Sequence, residues 1–449
     1  MKNLRLHILK ALLRVEKGSY SNLLLDSKLK NIDDRRDKNL FTEIFYGVIR
    51  NKLYLDYIIK QFSNTPLKKM DEEVLMGLRI GVYQLFFLDK IPARAAIYES
   101  VEAVKMLLAS GNKGAVSFTN GVLRNINRKR DSIKLPSQKD KPEKFLSVKY
   151  SYPLWLVKRF IKDYGSAKTE MILKAGNKRA EVIYRHNSLK KSRDEFFNLL
   201  EKDQIKYEKT FLDSFYRLKE VNNPAAAETF KSGAAYIQGT SAGLASLLLD
   251  PKAGMEVLDL AAAPGGKTSH LAELMNNRGR ITALDISQSR LNLVEENLAR
   301  LGVKNVLLKE ADAAEYQDQK KYDKILADLP CSGLGLIASK PEIKWDKDEK
   351  VIKKMAELQY NILNNNLDKL KVGGELLYST CTLTREENQD LIMKVLAENK
   401  NFELVDLNQR LKKVSSLDIK TNNKYLELLP GEVDSEGFFY ALLKKVESD

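Results

Sequence analysis

The sequence predicts an α/β protein. A C-terminal doubly wound domain over residues 236–449 is preceded by an all-α domain over 1–130, a basic linker over 131–149 and a small α+β module over 150–235. Three observations carry this. Strand and helix patterns alternate from residue 238 onward, the mark of βαβ units and a parallel sheet. Apolar residues recur at helical spacing, without strand alternation, through the first 130 residues. Between these regions, short strand-like runs are interleaved with helical stretches.

In the first domain, Leu4, Ile8, Leu9, Leu12, Leu13 and Val15 share one helical face. Asp37–Arg50, Leu53–Phe62, Glu73–Leu88, Ala95–Leu108 and Ala115–Ile126 repeat the pattern, with Pro66 and Pro92 as separators. Residues 128–149 carry eight basic and three acidic residues with Pro136 and Pro142, and read as an exposed linker. In the module, helices are expected at Pro153–Tyr164, Thr169–Gly176 and Ser192–Lys202, the last with Ser192 as N-cap. Strands are expected at 181–187, 206–210, 216–221 and 235–238. His186, beside Arg185 and Asn187, reads as a hydrogen-bonding or RNA-facing residue rather than a catalytic base.

In the C-terminal domain, helices are expected at Ser241–Leu249, Lys267–Asn276, Ser287–Leu301, Lys347–Lys371 and Arg385–Ala397. The strands are 256–260, 280–285, 306–308, 324–327 and 375–379, with 426–429 and 438–443 as a final antiparallel pair. Ligands of such sheets bind beyond the carboxyl ends of the strands. Asp259, Asp285, Asp312, Asp328 and Cys381 all fall there.

The composition, 43% hydrophobic and 30% charged, is that of a soluble globular protein. No apolar run reaches the roughly 18–20 residues of a membrane span, and the N-terminus lacks a secretory signal pattern. Two cysteines 50 residues apart and three histidines give neither a disulfide framework nor a zinc site. A reducing, cytoplasmic setting is expected, with no metal, no membrane partner and a monomeric chain. Residues 1–150 carry 29 basic and 16 acidic side chains, whereas the other 299 carry 46 and 44. Nearly all of the net +15 therefore lies in the first third, which points to nucleic acid or another polyanion as partner, the plainer alternative being a solvated basic face.

The chemistry centres on Val257–Thr268, an apolar strand, a small-residue turn and a helix start. Ala261 occupies the place where a Walker A loop needs glycine, and the G-x-G-x-x-G spacing is absent. Asp285, 19 residues after Gly266, suits ribose hydroxyls, and Asp312 suits adenine. That combination fits a nucleoside cofactor without phosphates, such as S-adenosyl-L-methionine. The plainer alternative is that these aspartates cap helices. Cys331, in Asp328–Gly335, and Cys381, in Tyr378–Thr382, each lie in a polar turn after a strand, where a thiolate can form. Two thiols beside one cofactor suggest covalent catalysis on an electron-poor carbon, such as C6 of a pyrimidine. Asp328 is placed to support addition from the N3 edge of the base.

Ala261–Thr268, Asp328-Leu-Pro-Cys-Ser-Gly-Leu-Gly335, Lys340-Pro-Glu-Ile-Lys-Trp345 and Ser379–Asn388 resemble the motifs of the RNA 5-methylcytosine methyltransferases. Glu436–Ala441 is similar to their closing strand, and the helical first domain resembles the NusB-type fold. The resemblance implies a Rossmann-like S-adenosylmethionine methyltransferase domain. It implies that Cys381 attacks C6 and that Cys331 assists release of the methylated base. Cofactor contacts would fall on Ala261, Ala262, Ala263, Pro264, Gly265, Gly266, Lys267, Asp285, Asp312 and Asp328. The NusB-like fusion implies 16S ribosomal RNA, or an early small-subunit particle, as partner and cytosine-967 as acceptor. Ala261 replaces a common Cys, Leu329 the usual Ala, and Ala338-Ser339 a frequent Arg pair. Transfer RNA or 23S rRNA as substrate, or a non-catalytic RNA-binding assembly factor, are the alternatives.

Overall fold

The computed structural model describes residues 3–108, 112–221 and 223–446. The chain forms two compact units. One runs to Lys178 and includes Lys340–Asp346; the other comprises Arg179–Ser339 and the chain from Lys347 onward.

The first unit is helical: α1 (Leu4–Glu16), α2 (Ser21–Leu29), α3 (Arg35–Phe62), α4 (Glu72–Phe87), α5 (Ala93–Leu107), α6 (Lys113–Arg128), α7 (Pro142–Tyr150) and α8 (Leu154–Gly176). The Asp34 carboxylate caps α3 by accepting from the backbone N–H groups of Arg36 and Asp37 at 2.7 and 2.9 Å. The stretches 37–50 and 53–62 are one continuous helix, because nothing between them breaks a helix. Inside α8, Gly165 has φ 77°, which separates the two helices expected there. Residues 142–149, expected in an exposed linker, lie in α7 instead. Leu146 and Val148 are buried, so the apolar side chains within that basic stretch decide its structure.

The motif Lys340–Trp345 lies in this helical unit, with α14 (Ile343–Asp346). Lys344 is fully buried and donates to Arg50 O at 3.0 Å, Ser151 O at 3.1 Å and Asn177 Oδ1 at 2.6 Å. Its ammonium also sits 3.9 Å from the Tyr152 ring centroid. Trp345 Nε1 donates to Ile49 O at 2.8 Å, and Ser21 Oγ to Glu342 Oε1 at 2.7 Å. The Lys344→Met variant keeps the stem but removes a donor shared by three oxygens. It is expected to lower the unfolding free energy of the protein by about 2–4 kcal/mol. Urea unfolding followed by circular dichroism checks this, and an unchanged midpoint would contradict it.

The second unit begins with an antiparallel sheet in the order β2-β3-β1-β4: β1 (Ile183–His186), β2 (Lys206–Lys209), β3 (Phe215–Lys219) and β4 (Ala235–Ile237). Helix α9 (Arg193–Lys202) starts with a capping box between Ser192 and Glu195 and buries Phe196 against Tyr216. A short α10 (Glu228–Lys231) precedes β4. His186 is buried and its Nε2 lies 2.8 Å from Lys191 O, a structural hydrogen bond within the module rather than an RNA-facing position.

The rest of this unit is α11 (Thr240–Leu249), β5 (Glu256–Asp259), α12 (Gly266–Leu274), β6 (Arg280–Asp285), α13 (Gln288–Leu301), β7 (Val306–Glu310) and β8 (Tyr322–Asp328). Then follow α15 (Glu349–Leu367), β9 (Leu370–Thr380), α16 (Gln389–Glu398), β10 (Phe402–Val405), α17 (Asn408–Val414), β11 (Leu426–Leu428) and β12 (Phe438–Lys445). The sheet order is β10-β12-β9-β8-β5-β6-β7, with β11 paired to β12. The antiparallel pair expected at 426–429 and 438–443 is β11 and β12, and their addition to the expected parallel strands makes the sheet mixed. β7, β6, β5, β8 and β9 are parallel, while β12 runs antiparallel to β9, β10 and β11. Val257, Ile281, Leu326, Leu377 and Leu442 form the core beneath one face. The chain reverses its winding between β5 and β8, which places the switch point beside the turn after β5.

Candidate active site

Asp259 ends β5, Asp285 ends β6, Asp328 ends β8 and Cys381 follows β9, so these groups share the carboxyl edge of the sheet. Asp312 lies two residues past β7 at the same edge. The turn after β5 is held by its backbone. The Ala262 N–H donates to Leu284 O and the Gly265 N–H to Ala262 O, both at 2.7 Å. Gly265 has φ 97°, and a Cβ on Gly266 would stand 2.8 Å from the Tyr236 ring. Arg185 of β1, fully buried, reaches the helix start from below: its guanidinium donates to Gly266 O at 3.3 Å and Ser269 Oγ at 3.0 Å.

The aspartates differ in role. Asp259 is buried inside the turn, accepting from Thr268 Oγ1 at 2.7 Å and the Ala261 N–H at 3.3 Å. Burial pushes its carboxyl up to about 6. It therefore organises the turn. The Asp285 carboxylate accepts from the Ala263 and Ser287 N–H groups at 3.3 and 3.2 Å and lies 3.4 Å from Arg290. Ile286, next to it, is 64% exposed and offers an apolar face. Asp312 accepts from the Ala314 N–H at 2.8 Å and remains partly exposed.

Across the switch point, Lys267 Nζ donates to Asp328 Oδ2 at 2.6 Å, and Ser379 Oγ to Asp328 Oδ1 at 2.8 Å. Burial opposes the charge on Lys267, but Asp328, Cys381 and Asp259 outweigh it and raise the ammonium above the ordinary lysine range. Lys267 thus points at the catalytic candidates from the second position of α12. The Cys331 and Cys381 sulfurs lie 3.1 Å apart and both thiols are free. The Cys381 sulfur, burial and the Glu387 carboxylate push the Cys331 thiol well above the ordinary cysteine range. The two cysteine loops interlock: the Gly335 N–H donates to Cys381 O at 2.9 Å, and a Cβ on Gly335 would stand 2.1 Å from Gly437 O. Among the described residues no group of three or more His, Cys, Asp or Glu is placed to hold a metal. Among them no helix is long and apolar enough to cross a membrane.

Residues 246–444 match the model of the 16S rRNA methyltransferase RsmB/F family, residues 2–128 the NusB family, and residues 152–219 the RsmF/B-like ferredoxin-like domain. The chain is 36% identical over 444 residues to a probable ribosomal RNA small subunit methyltransferase B of Bacillus subtilis (strain 168), covering 97% of each. The chain belongs to the RsmB/F family of 16S rRNA methyltransferases. The ribosomal RNA small subunit methyltransferase B of Shewanella oneidensis is similar at 35% identity over 99% of both chains. A solved methyltransferase homolog protein from Pyrococcus horikoshii shares 32% identity and a TM-score of 0.58, covering 67% of this chain and 98% of its own. Another solved chain superposes over 99% of both chains with a TM-score of 0.83 at 28% identity.

Of the departures from the motifs of this family, Leu329 is buried in the core behind β8, and Ser339 Oγ donates to Glu436 Oε1 at 2.8 Å. Sequence reasoning passed over Ile286, Ser379 and Glu387 as site residues. Ile286 had a usable signal, an apolar side chain directly after the strand-end Asp285.

Proposed function

We propose that this protein methylates C5 of a cytosine in 16S ribosomal RNA, cytosine-967, with S-adenosyl-L-methionine as donor and a covalent adduct between Cys381 and C6 of the base. The observation that carries the reading is the pair of free thiols 3.1 Å apart beside the Lys267–Asp328 ion pair. The donor set fits the cofactor. Asp285 and Asp312 stand at the ends of adjacent strands where ribose hydroxyls and the adenine amine can meet carboxylates, and exposed Ile286 offers apolar cover. Ala261–Lys267 supplies a small-residue turn without a phosphate loop.

When bound, the cofactor supplies an electrophilic methyl group on a sulfonium. The Cys381 sulfur, as thiolate, adds to C6 of the base. Asp328, held by Lys267 and Ser379, is fixed at the N3 edge of the base, where its carboxylate accepts from the 4-amino group and from N3–H once N3 takes up a proton as the thiolate adds. Once C5 carries the methyl group, water or another base takes the C5 proton, the C–H electron pair re-forms the C5–C6 double bond, and the C6–S electron pair returns to Cys381. Cys331, kept as a thiol, stands against Cys381 and serves release of the methylated base. In the helical unit, Arg124, Arg128, Lys129 and Arg130 are exposed and available to phosphates. The free cysteines suit a reducing cytoplasm.

Labelled S-adenosylmethionine with unmodified 16S rRNA tests the reading, with 23S rRNA and transfer RNA in parallel. Label is expected as 5-methylcytosine at position 967 of 16S rRNA and at background level in the others. Folded, cofactor-binding protein that labels none of the three would leave a non-catalytic RNA-binding role.

A further inference from the structure

Glu387 is a fully buried carboxylate that no step of the reaction uses. Its Oε1 accepts from the Ser332 N–H at 2.8 Å and Gln359 Nε2 at 3.1 Å. Its Oε2 accepts from Ser332 Oγ at 2.5 Å and Thr384 Oγ1 at 2.7 Å. Ser332 adjoins Cys331, and Thr384 lies three residues beyond Cys381. The two hydroxyl groups of Ser332 and Thr382 are 2.6 Å apart, so Thr382, adjoining Cys381, donates to the Ser332 oxygen that donates to Glu387. Gln359 of α15 also donates to Pro330 O at 2.7 Å and accepts from Tyr378 OH of β9 at 3.1 Å. One carboxylate thus gathers bonds from the residues that flank both thiols. Charge-assisted bonds of this kind are about twice as strong as neutral ones. A buried Ser332 N–H left without an acceptor would be costly, so the loop would move.

We propose that Glu387 is a positioning residue that locks the Cys331 loop onto the Cys381 loop, setting the approach of the two thiols and holding Cys331 where release of the methylated base needs it. The Glu387 charge also bears on Cys331: it is among the causes that push that thiol above the ordinary cysteine range. A misplacement of about 1 Å at a reacting group costs on the order of a hundredfold in rate. The inference rests on the roles given to the cysteines above.

The test uses full-length protein carrying Glu387→Ala or Glu387→Gln, with Cys331→Ala as a control. S-adenosylmethionine affinity, KM for RNA, kcat and protein–RNA adduct on a denaturing gel are measured for each. Glu387→Ala is expected to keep cofactor affinity and KM, lose about a hundredfold in kcat and accumulate adduct as Cys331→Ala does. Glu387→Gln retains volume and one carbonyl oxygen, and is expected to recover much of the kcat. Unchanged kcat in Glu387→Ala overturns the inference. So does cofactor affinity falling in step with kcat in both Glu387 variants, without adduct, while Cys331→Ala traps RNA. A Cys331→Ala control that traps nothing overturns the cysteine roles themselves, and this inference with them.

Discussion

Replacing Cys381 by alanine is expected to lower methyl transfer by at least about a thousandfold and to abolish covalent attachment to RNA. The argument is one of alternatives. C5 of cytosine is a poor nucleophile until C6 carries a bonded group, and the site has two sulfurs to supply one. Cys331 is held as a thiol by the Cys381 sulfur, burial and Glu387, so it is a poor substitute. Lys267, Asp328 and the turn after β5 would be untouched. S-adenosylmethionine affinity should therefore match the native protein, which separates loss of chemistry from loss of fold. Equilibrium binding and single-turnover methylation, measured on one preparation, check both halves.

Replacing Cys331 by alanine is expected to act on the other side of the reaction. Cys381 loses the Cys331 sulfur but Lys267 and Asp328 stay in place, so addition and methyl transfer proceed in the first turnover. Release slows, multiple turnover falls by roughly a hundredfold or more, and a slow-migrating protein–RNA band builds up on a denaturing gel. Burst kinetics, with about one methyl group per protein followed by a slow phase, is the matching signature. The same variant without a burst and without a band would mean that Cys331 acts before methyl transfer.

Much of this was legible in the sequence because period and punctuation agree there. Strand β6 ends at Asp285 as the apolar run does, and Ser192 caps α9 as expected. Other elements carried too little local signal. Helix α2 contains Leu23-Leu24-Leu25, a run without helical period, and β10 is only four residues long. Helix α7 hides Leu146 and Val148 among lysines, so in residues 142–149 charge masks the apolar pattern. The antiparallel pairing of β11 and β12 was legible, but the place of β12 beside β9 depends on which edge of the sheet is open, a long-range fact that no window of sequence contains. At the site, the strand-end positions of Asp285, Asp328 and Cys381 followed from pattern alone. Glu387 did not, since in Thr384-Arg-Glu-Glu-Asn388 it resembles a solvated acidic run until the fold buries it. Lys344 is the same case, a lysine in a charged stretch that the helical unit encloses.

The most direct measurement is peptide mapping of the protein–RNA adduct formed by the Cys331→Ala variant with S-adenosylmethionine and unmodified 16S rRNA. After protease and nuclease digestion, mass spectrometry should find the peptide containing Cys381 carrying one cytidylate with one added methyl group. An adduct on any other residue, or RNA methylated at C5 with no covalent species at any time point, would contradict the account.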